Sequence, residues 1–251
     1  ALTEKWAKAE ELTRRSEEFF DNGSFQLLIE DEGGRIPINR LVNGNLYNAT
    51  VRDILLRLMT GPYFRLSKAR AGDILDAAKD WMDADSEVTG GGAEEGYYAG
   101  LGRPYAAKNA ALDCIEELLM VRGMTSELFY GTEESPGLAT CLTIFGDGKI
   151  NINTASKPVL RALSAEMTDD GVEEIDEYRR NEKNDLTDPG WYSRIPGAAG
   201  WDIRRGWTAG GSGRSRFLSI GRQGRMERRI TSVVKRQTDR KKVDLLSWKV
   251  E

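Results

Sequence analysis

Two short extended stretches of one kind constrain the layout of this chain, because strand signals lie outside them and helical periodicity lies between. The sharper copy is Gly148-Lys149-Ile150-Asn151-Ile152-Asn153-Thr154-Ala155-Ser156, and the looser one is Gly34-Arg35-Ile36-Pro37-Ile38-Asn39-Arg40-Leu41. Each sets a small residue and a cation before an apolar-x-apolar-Asn pattern. Each also follows acidic residues, Asp31 and Glu32 in one case and Asp147 in the other. Strands at both ends and helices in the middle imply an α+β body carrying a helical insertion.

Ahead of the first copy, residues 2 to 20 read as an amphipathic helix with Leu2, Trp6, Ala9, Leu12 and Phe19 near one face. Phe25 to Glu30 reads as a strand, and Gly33-Gly34 as a turn that folds the first copy back into a β-hairpin. Between the copies, Val51, Ile54, Leu55, Leu58 and Met59 form a helical stripe that Gly61-Pro62 interrupts. Ser67 caps a second helix through Ile74, Leu75, Ala78 and Trp81. The pattern predicts a third helix over 106–122, with Cys114 on its inner face, and a short helical turn over 126–129.

After the second copy, Ser156 caps a helix with Pro158 in its first turn, and another helix runs from Asp169 to Arg180. Asn151 and Asn153 are expected to tie down a turn and a helix start rather than to touch a ligand. Residues 181–213 are irregular, and Trp191, Trp201 and Trp207 imply that this long loop is packed. Alternating residues over 217–220, 228–236 and 243–250 then predict antiparallel strands.

The chain contains no histidine, which removes the usual general base and the Ser-His and Cys-His nucleophile pairs. Carboxylate-only hydrolysis remains open as chemistry. No run approaches eighteen apolar residues, so the sequence shows no membrane span. The start at Ala1 lacks both Met and a signal pattern, and a natural protein trimmed or processed at this end is expected. Two cysteines, Cys114 and Cys141, allow either a free buried thiol or one disulfide.

Asp83, Asp85, Glu87 and Glu94 stand at relative positions 1, 3, 5 and 12, the spacing at which an EF-hand loop offers oxygens to calcium. Val88 occupies the position where that loop needs Gly, so a solvated acidic loop is the competing reading. The Gly90-Gly91-Gly92 run has no following Gly-Lys-Ser/Thr and reads as a turn. Residues 214 to 242 hold eleven Lys or Arg against Glu227 and Asp239. Such a ribbon could follow a phosphate backbone, but alternation with apolar residues favours the solvated face of a sheet. Residues 150–180 resemble a helix-hairpin-helix unit, which raises a DNA-binding alternative. The turn Leu163-Ser164-Ala165-Glu166-Met167-Thr168-Asp169-Asp170 lacks the glycines of the DNA-binding form and carries three acids.

Several stretches in fixed order resemble the minor pseudopilin K family of the bacterial type II secretion system. They are Asp31 to Asn39, Asp80 to Asp85, Gly92 to Tyr98, Pro104-Tyr105, Asn109 to Gly123 and Gly148 to Ala155. Pro37 departs from the family's usual Asn, and the tryptophan-bearing loop has no counterpart in the motif set. The resemblance implies a pilin fold, a long N-terminal helix on an antiparallel sheet, with a large inserted all-helical domain. It divides the chain into 1–46, an inserted 47–180 and a sheet-completing 181–251. It further implies a non-enzymatic assembly role at the pseudopilus tip, with the I and J minor pseudopilins as partners and no nucleic acid. The expected setting is the inner membrane, reached through an N-terminal helix, with this portion in the periplasm. Calcium at Asp83, Asp85, Glu87 and Glu94 and a Cys114–Cys141 disulfide are implied on the same footing.

Overall fold

The computed structural model describes residues 9–20, 22–203, 206–237 and 242–251. Its elements run α1 (Ala9–Arg14), β1 (Gly23–Asp31), β2 (Ile36–Pro37), β3 (Val42–Asn43), β4 (Leu46–Tyr47), α2 (Ala49–Thr60), α3 (Lys68–Met82) and α4 (Glu95–Ala99). They continue with α5 (Ser126–Tyr130), β5 (Leu142–Thr143), β6 (Ile150–Asn151), α6 (Lys157–Ala162), α7 (Asp169–Arg180), β7 (Thr208–Ala209), β8 (Arg214–Gln223), β9 (Met226–Gln237) and β10 (Lys242–Val250). The main sheet has the order β1-β8-β9-β10, all antiparallel. One strand therefore precedes the helical middle and three follow it. The Thr13 hydroxyl, on α1, accepts the Leu27 N–H of β1 at 2.9 Å, which holds the helix at that edge of the sheet. Residues 1–8 of the expected first helix, with Leu2 and Trp6, lie outside the described residues, as do the side chains of Leu12 and Phe19.

The expected hairpin between β1 and the first copy does not form. The Asp31 carboxylate accepts the Gly33 N–H at 3.0 Å and starts a 3-10 turn over Glu32–Gly34. That turn carries the chain out of the sheet, so β1 pairs with β8 from Gly23 opposite Gln223 to Asp31 opposite Ser215. The first copy instead lays Ile36-Pro37 parallel to Leu142-Thr143, and the second lays Ile150-Asn151 parallel to Thr208-Ala209.

Helices α2 and α3 follow from their sequences. Asn48 and Ser67 accept the N–H groups of Val51 and Arg70 at their N-termini. The five apolar residues of the α2 stripe are all buried. At about 1.5–3 kcal/mol each, their burial outweighs the weak intrinsic stability of so short a helix. The helix expected over 106–122 is replaced by irregular chain and a 3-10 segment, Ile115–Met120. Glu117 causes this: its carboxylate accepts the N–H groups of Asp113 and Cys114 at 2.7 and 3.1 Å and pairs with Lys108. A helix cannot run through residues whose amides are taken by a side chain three or four positions ahead. Asn109, at φ +50°, adds a left-handed break upstream.

One consequence is that Cys114 is exposed, while Cys141 is fully buried; both are free thiols, and the expected disulfide is absent. Cys141 Sγ sits 3.7 Å from Thr140 Oγ1 and 3.9 Å from Ser156 Oγ, and burial pushes its pKa up. The hydrophobic core runs from Ile36 to Ile203 and includes Leu41, Trp191, Ile195 and Ala198. Residues 36–41 and 191–203 thus pack with the helices, and the helical body reaches beyond the expected limits of 47 and 180.

The two copies are where the sheet and the helical body join. Asp31 Oδ2 accepts from Asn151 Nδ2 at 2.5 Å and from Thr154 Oγ1 at 2.6 Å. A Cβ on Gly34 would lie 2.8 Å from the Thr154 carbonyl, so the copies pack at glycine distance. Glu32, 1% exposed, accepts from Arg216 Nε and Nη2 at 3.0 Å each and from Thr143 Oγ1 at 2.6 Å. Asn153 accepts the Trp191 indole N–H at 2.6 Å and donates to the carbonyls of Leu186 and Gly210 at 3.1 and 2.8 Å. The long 181–213 loop is stapled through that side chain. Asn153→Ala would strand a buried indole N–H and two carbonyls, so a loss of about 3 kcal/mol is expected in urea denaturation. A loss under about 1 kcal/mol would refute this stapling role.

Candidate functional site

The densest cluster of buried charge lies where the end of α3 meets the start of α4. Asp80, Asp83 and Glu94 each place a carboxylate oxygen within 4.8 Å of the others, and all three are buried. Asp83 is the C-cap of α3, and an i, i+3 spacing puts Asp80 on the same side of the helix end. Glu94 comes back to them through the glycine run. Gly92 is required there, since a Cβ would lie 2.1 Å from Asp80 Oδ2. The loop is held by Thr89 N–H donating to both Asp80 oxygens at 3.2 and 3.1 Å, and by Arg122 Nη1 on the Gly92 carbonyl at 2.9 Å. Beside it in the chain, Trp81, Tyr98 and Tyr105 pack on one another with ring centroids 5.2–6.1 Å apart.

Of the four residues expected to ligate, Asp83 and Glu94 converge. Asp85 instead accepts the Glu87 N–H at 2.8 Å to close a turn, and Glu87 is exposed. Neither belongs to the cluster. Asp80 takes their place; its only sequence signal was the helical spacing to Asp83. The EF-hand spacing therefore points to this loop, while the carboxylates that come together are Asp80, Asp83 and Glu94.

Charge at the cluster is unbalanced. Lys79 Nζ donates to Asp83 Oδ2 and lies 3.9 Å from Asp80 Oδ1. Burial pulls the lysine pKa down, but the Asp83 hydrogen bond and the fields of Asp83 and Asp80 leave it raised. One ammonium faces three carboxylates. Asp83 Oδ1 and both Glu94 oxygens are buried without a hydrogen-bond partner, a costly state for ionised oxygens. Burial, then repulsion from Asp80, Asp83 and Asp85, pushes the Glu94 pKa from 4.5 to about 7. Burial likewise raises Asp80. An all-oxygen donor set with unpartnered oxygens and a surplus charge of two suits a hard divalent cation.

Of the other two candidate regions, the helix hairpin is engaged in packing and the basic ribbon is largely exposed. In the helix hairpin, Thr168 Oγ1 accepts the Gly171 N–H at 3.1 Å, and a Cβ on Gly171 would lie 2.6 Å from the Trp201 ring. Arg179 is buried, donating to Asp176 and to the carbonyls of Ile152 and Ala155. In the basic ribbon, Arg216 is bound to Glu32 and Arg222 to Glu227. Asp239, Arg240 and Lys241 lie outside the described residues.

Comparison with known proteins places this geometry. Residues 34–132 match the family model of the type II secretion system (T2SS), protein K. Asp80, Asp83 and Glu94 all fall within the matched stretch. Type II secretion system protein K of Aeromonas hydrophila is 34% identical over 142 residues, covering 51% of this chain and 40% of the relative. The Pseudomonas aeruginosa protein K is 29% identical over 144 residues, covering 57% and 41%. That of Pectobacterium carotovorum is 42% identical over 60 residues, covering 24% and 18%. The chain thus spans at most about two fifths of the length of these curated relatives. A chain in the crystal structure of the GspK-GspI-GspJ complex from enterotoxigenic Escherichia coli superposes with a TM-score of 0.75 at 17% identity. That superposition covers 98% of this chain and 94% of the other. The mixed helix-and-sheet fold is the same. Among the described residues, no helix is long and apolar enough to cross a membrane.

A raised carboxylate has a defined pH signature. The folded chain holds the Glu94 proton more tightly than the unfolded chain between pH 4.5 and about 7, so metal-free stability falls as pH rises through that window. At about 1.4 kcal/mol per unit the loss is roughly 3 kcal/mol. In EDTA, urea denaturation at pH 5 and pH 8 should show this drop, and Glu94→Gln should flatten it. Equal pH dependence in the two proteins would contradict the assignment.

Proposed function

We propose that this chain is the periplasmic portion of a minor pseudopilin K, a structural assembly protein without enzymatic activity. It joins the I and J minor pseudopilins at the tip of the type II secretion pseudopilus, where the complex starts or limits filament growth. The observation that carries the reading is the whole-chain likeness to a chain of the GspK-GspI-GspJ complex, joined to the protein K match over residues 34–132. In this reading α1 and the β1-β8-β9-β10 sheet form a pilin-type unit, and the helical body is its insertion between β1 and β8. A membrane-embedded helix preceding Ala1 anchors the protein in the inner membrane before assembly.

Sizing chromatography tests the partnership: the purified chain is expected to co-elute stoichiometrically with the I and J periplasmic domains of the same organism. Separate elution of all three would overturn it.

Calcium belongs to the same reading. Asp80, Asp83 and Glu94 supply the protein carboxylates, and the ion takes over from Lys79 as their counter-charge. Calcium is expected to raise the melting temperature at pH 7.5, and Glu94→Gln to abolish the rise. No change on adding calcium to the unsubstituted chain would remove calcium from the account while leaving the fold untouched.

A further inference from the structure

The sheet presents two faces of different character. Register places Ile29, Leu27 and Phe25 of β1 on the same face as Phe217 of β8 and Ile230 and Val234 of β9. Across β10 the alternation would reverse midway, because the register shifts between Leu245 and Ser247. That bulge has a specific effect. Leu245 opposes Val234, Trp248 opposes Ser232 and Val250 opposes Ile230, so Val243, Leu245, Trp248 and Val250 all stand on the apolar face. The opposite face carries Arg216, Val233 and Lys249, of which Arg216 and Lys249 are tied to Glu32 and Glu116 of the helical body.

On the β10 side this apolar face is uncovered among the described residues. Val243 is 63% exposed, Leu245 59%, Trp248 58% and Val250 56%. Large side chains this exposed on a continuous strip mark an interaction surface more often than solvent-facing sheet. Helix α1 is hydrogen-bonded at the β1 margin, three strand spacings or roughly 14 Å from β10. A helix with side chains is about 10 Å across, so the face has room for one more.

Charge selects the occupant. Arg228 and Arg236 lie on the same face as Ile230 and Val234, both are exposed, and neither has a side-chain partner among the described residues. They bracket the apolar strip at a separation of roughly 26 Å, the length of an eighteen-residue helix. A second copy laid antiparallel on this face would set arginine against arginine, which disfavours a homodimer. We propose that the β9–β10 face is a docking surface for an amphipathic partner helix whose apolar stripe is flanked at both ends by acidic residues. The proposal rests on the assembly reading above, and the helix belongs to an I- or J-type partner. Trp248 is the anchor, and Arg228 and Arg236 set the helix's position along the strands.

The test measures binding of the full chain to the purified I and J periplasmic domains by titration calorimetry. Trp248→Glu is expected to weaken binding about tenfold or more, as loss of a buried aromatic anchor does. Arg228→Glu with Arg236→Glu is expected to weaken it comparably; both are surface positions whose substitution leaves the core intact. Leu28→Glu, exposed on the opposite face, should leave affinity unchanged. Hydroxyl-radical footprinting should find Trp248 reactive in the free chain and shielded in the complex. Unchanged binding by the Trp248 and arginine variants would overturn the surface while leaving the assembly reading standing. No binding by the unsubstituted chain would overturn both. Trp248 shielded in the free chain, or a homodimer that Trp248→Glu dissolves, would show a different occupant and refute the proposal.

Discussion

A single buried carboxylate holds this architecture in one piece. Glu32 sits where β1 turns out of the sheet, and it is gripped by both donors of Arg216 from β8 and by the hydroxyl of Thr143 from β5. Three chain segments far apart in sequence meet on one side chain. A charge so deeply buried is tolerated only while its partners are in place, since breaking such a pair costs about 3–5 kcal/mol. Next to it, Asp31 binds Asn151 and Thr154 of the second copy, so two neighbouring acids fix both the sheet and the helical body. The rest of the molecule hangs from that corner: β1 finds β8, and the helical core closes between the two copies.

Much of this could be read from the residues. The α2 and α3 helices announced themselves by stripe and cap, and the strands of the last forty residues by alternation. Asn151 and Asn153 tie down turns and a loop, as their residue type suggested. The failures have local physical causes. The helix expected over 106–122 had the right apolar period, but Glu117 captures two amides and Asn109 sits at positive φ, and neither shows in a hydrophobic pattern. The hairpin after β1 failed because strand pairing is a long-range choice, and the adjacent extended stretch was the wrong partner. In the acidic loop, spacing along the chain found Asp83 and Glu94. It missed Asp80, which looked like an ordinary helix residue until the glycine run folded Glu94 onto it. The disulfide failed with the third helix, since unwinding that segment turned Cys114 to solvent.

The acidic cluster and the sheet face are two different ways of leaving a structure unfinished. At the cluster, one lysine answers three carboxylates and three oxygens lack partners, so the core carries an electrostatic debt that burial magnifies. On the sheet, apolar side chains are gathered onto one face by the bulge between Leu245 and Ser247. Both sit on regular elements, the end of a fifteen-residue helix in one case and a strand pair of twelve and nine residues in the other.

The distance between β1 and its partner also governs how this molecule can come into being. Gly23 pairs with Gln223, so at about 5–20 residues per second β1 waits roughly 10–40 s for β8 to be made. The helical core, by contrast, is complete once Ile203 has emerged. The helices can condense first around local contacts, while an unpaired strand trails from one end. When β8 arrives it meets a corner already carrying Glu32 and Asp31. Arg216 then has one place to go, and the late-made sheet takes its register from the early-made body.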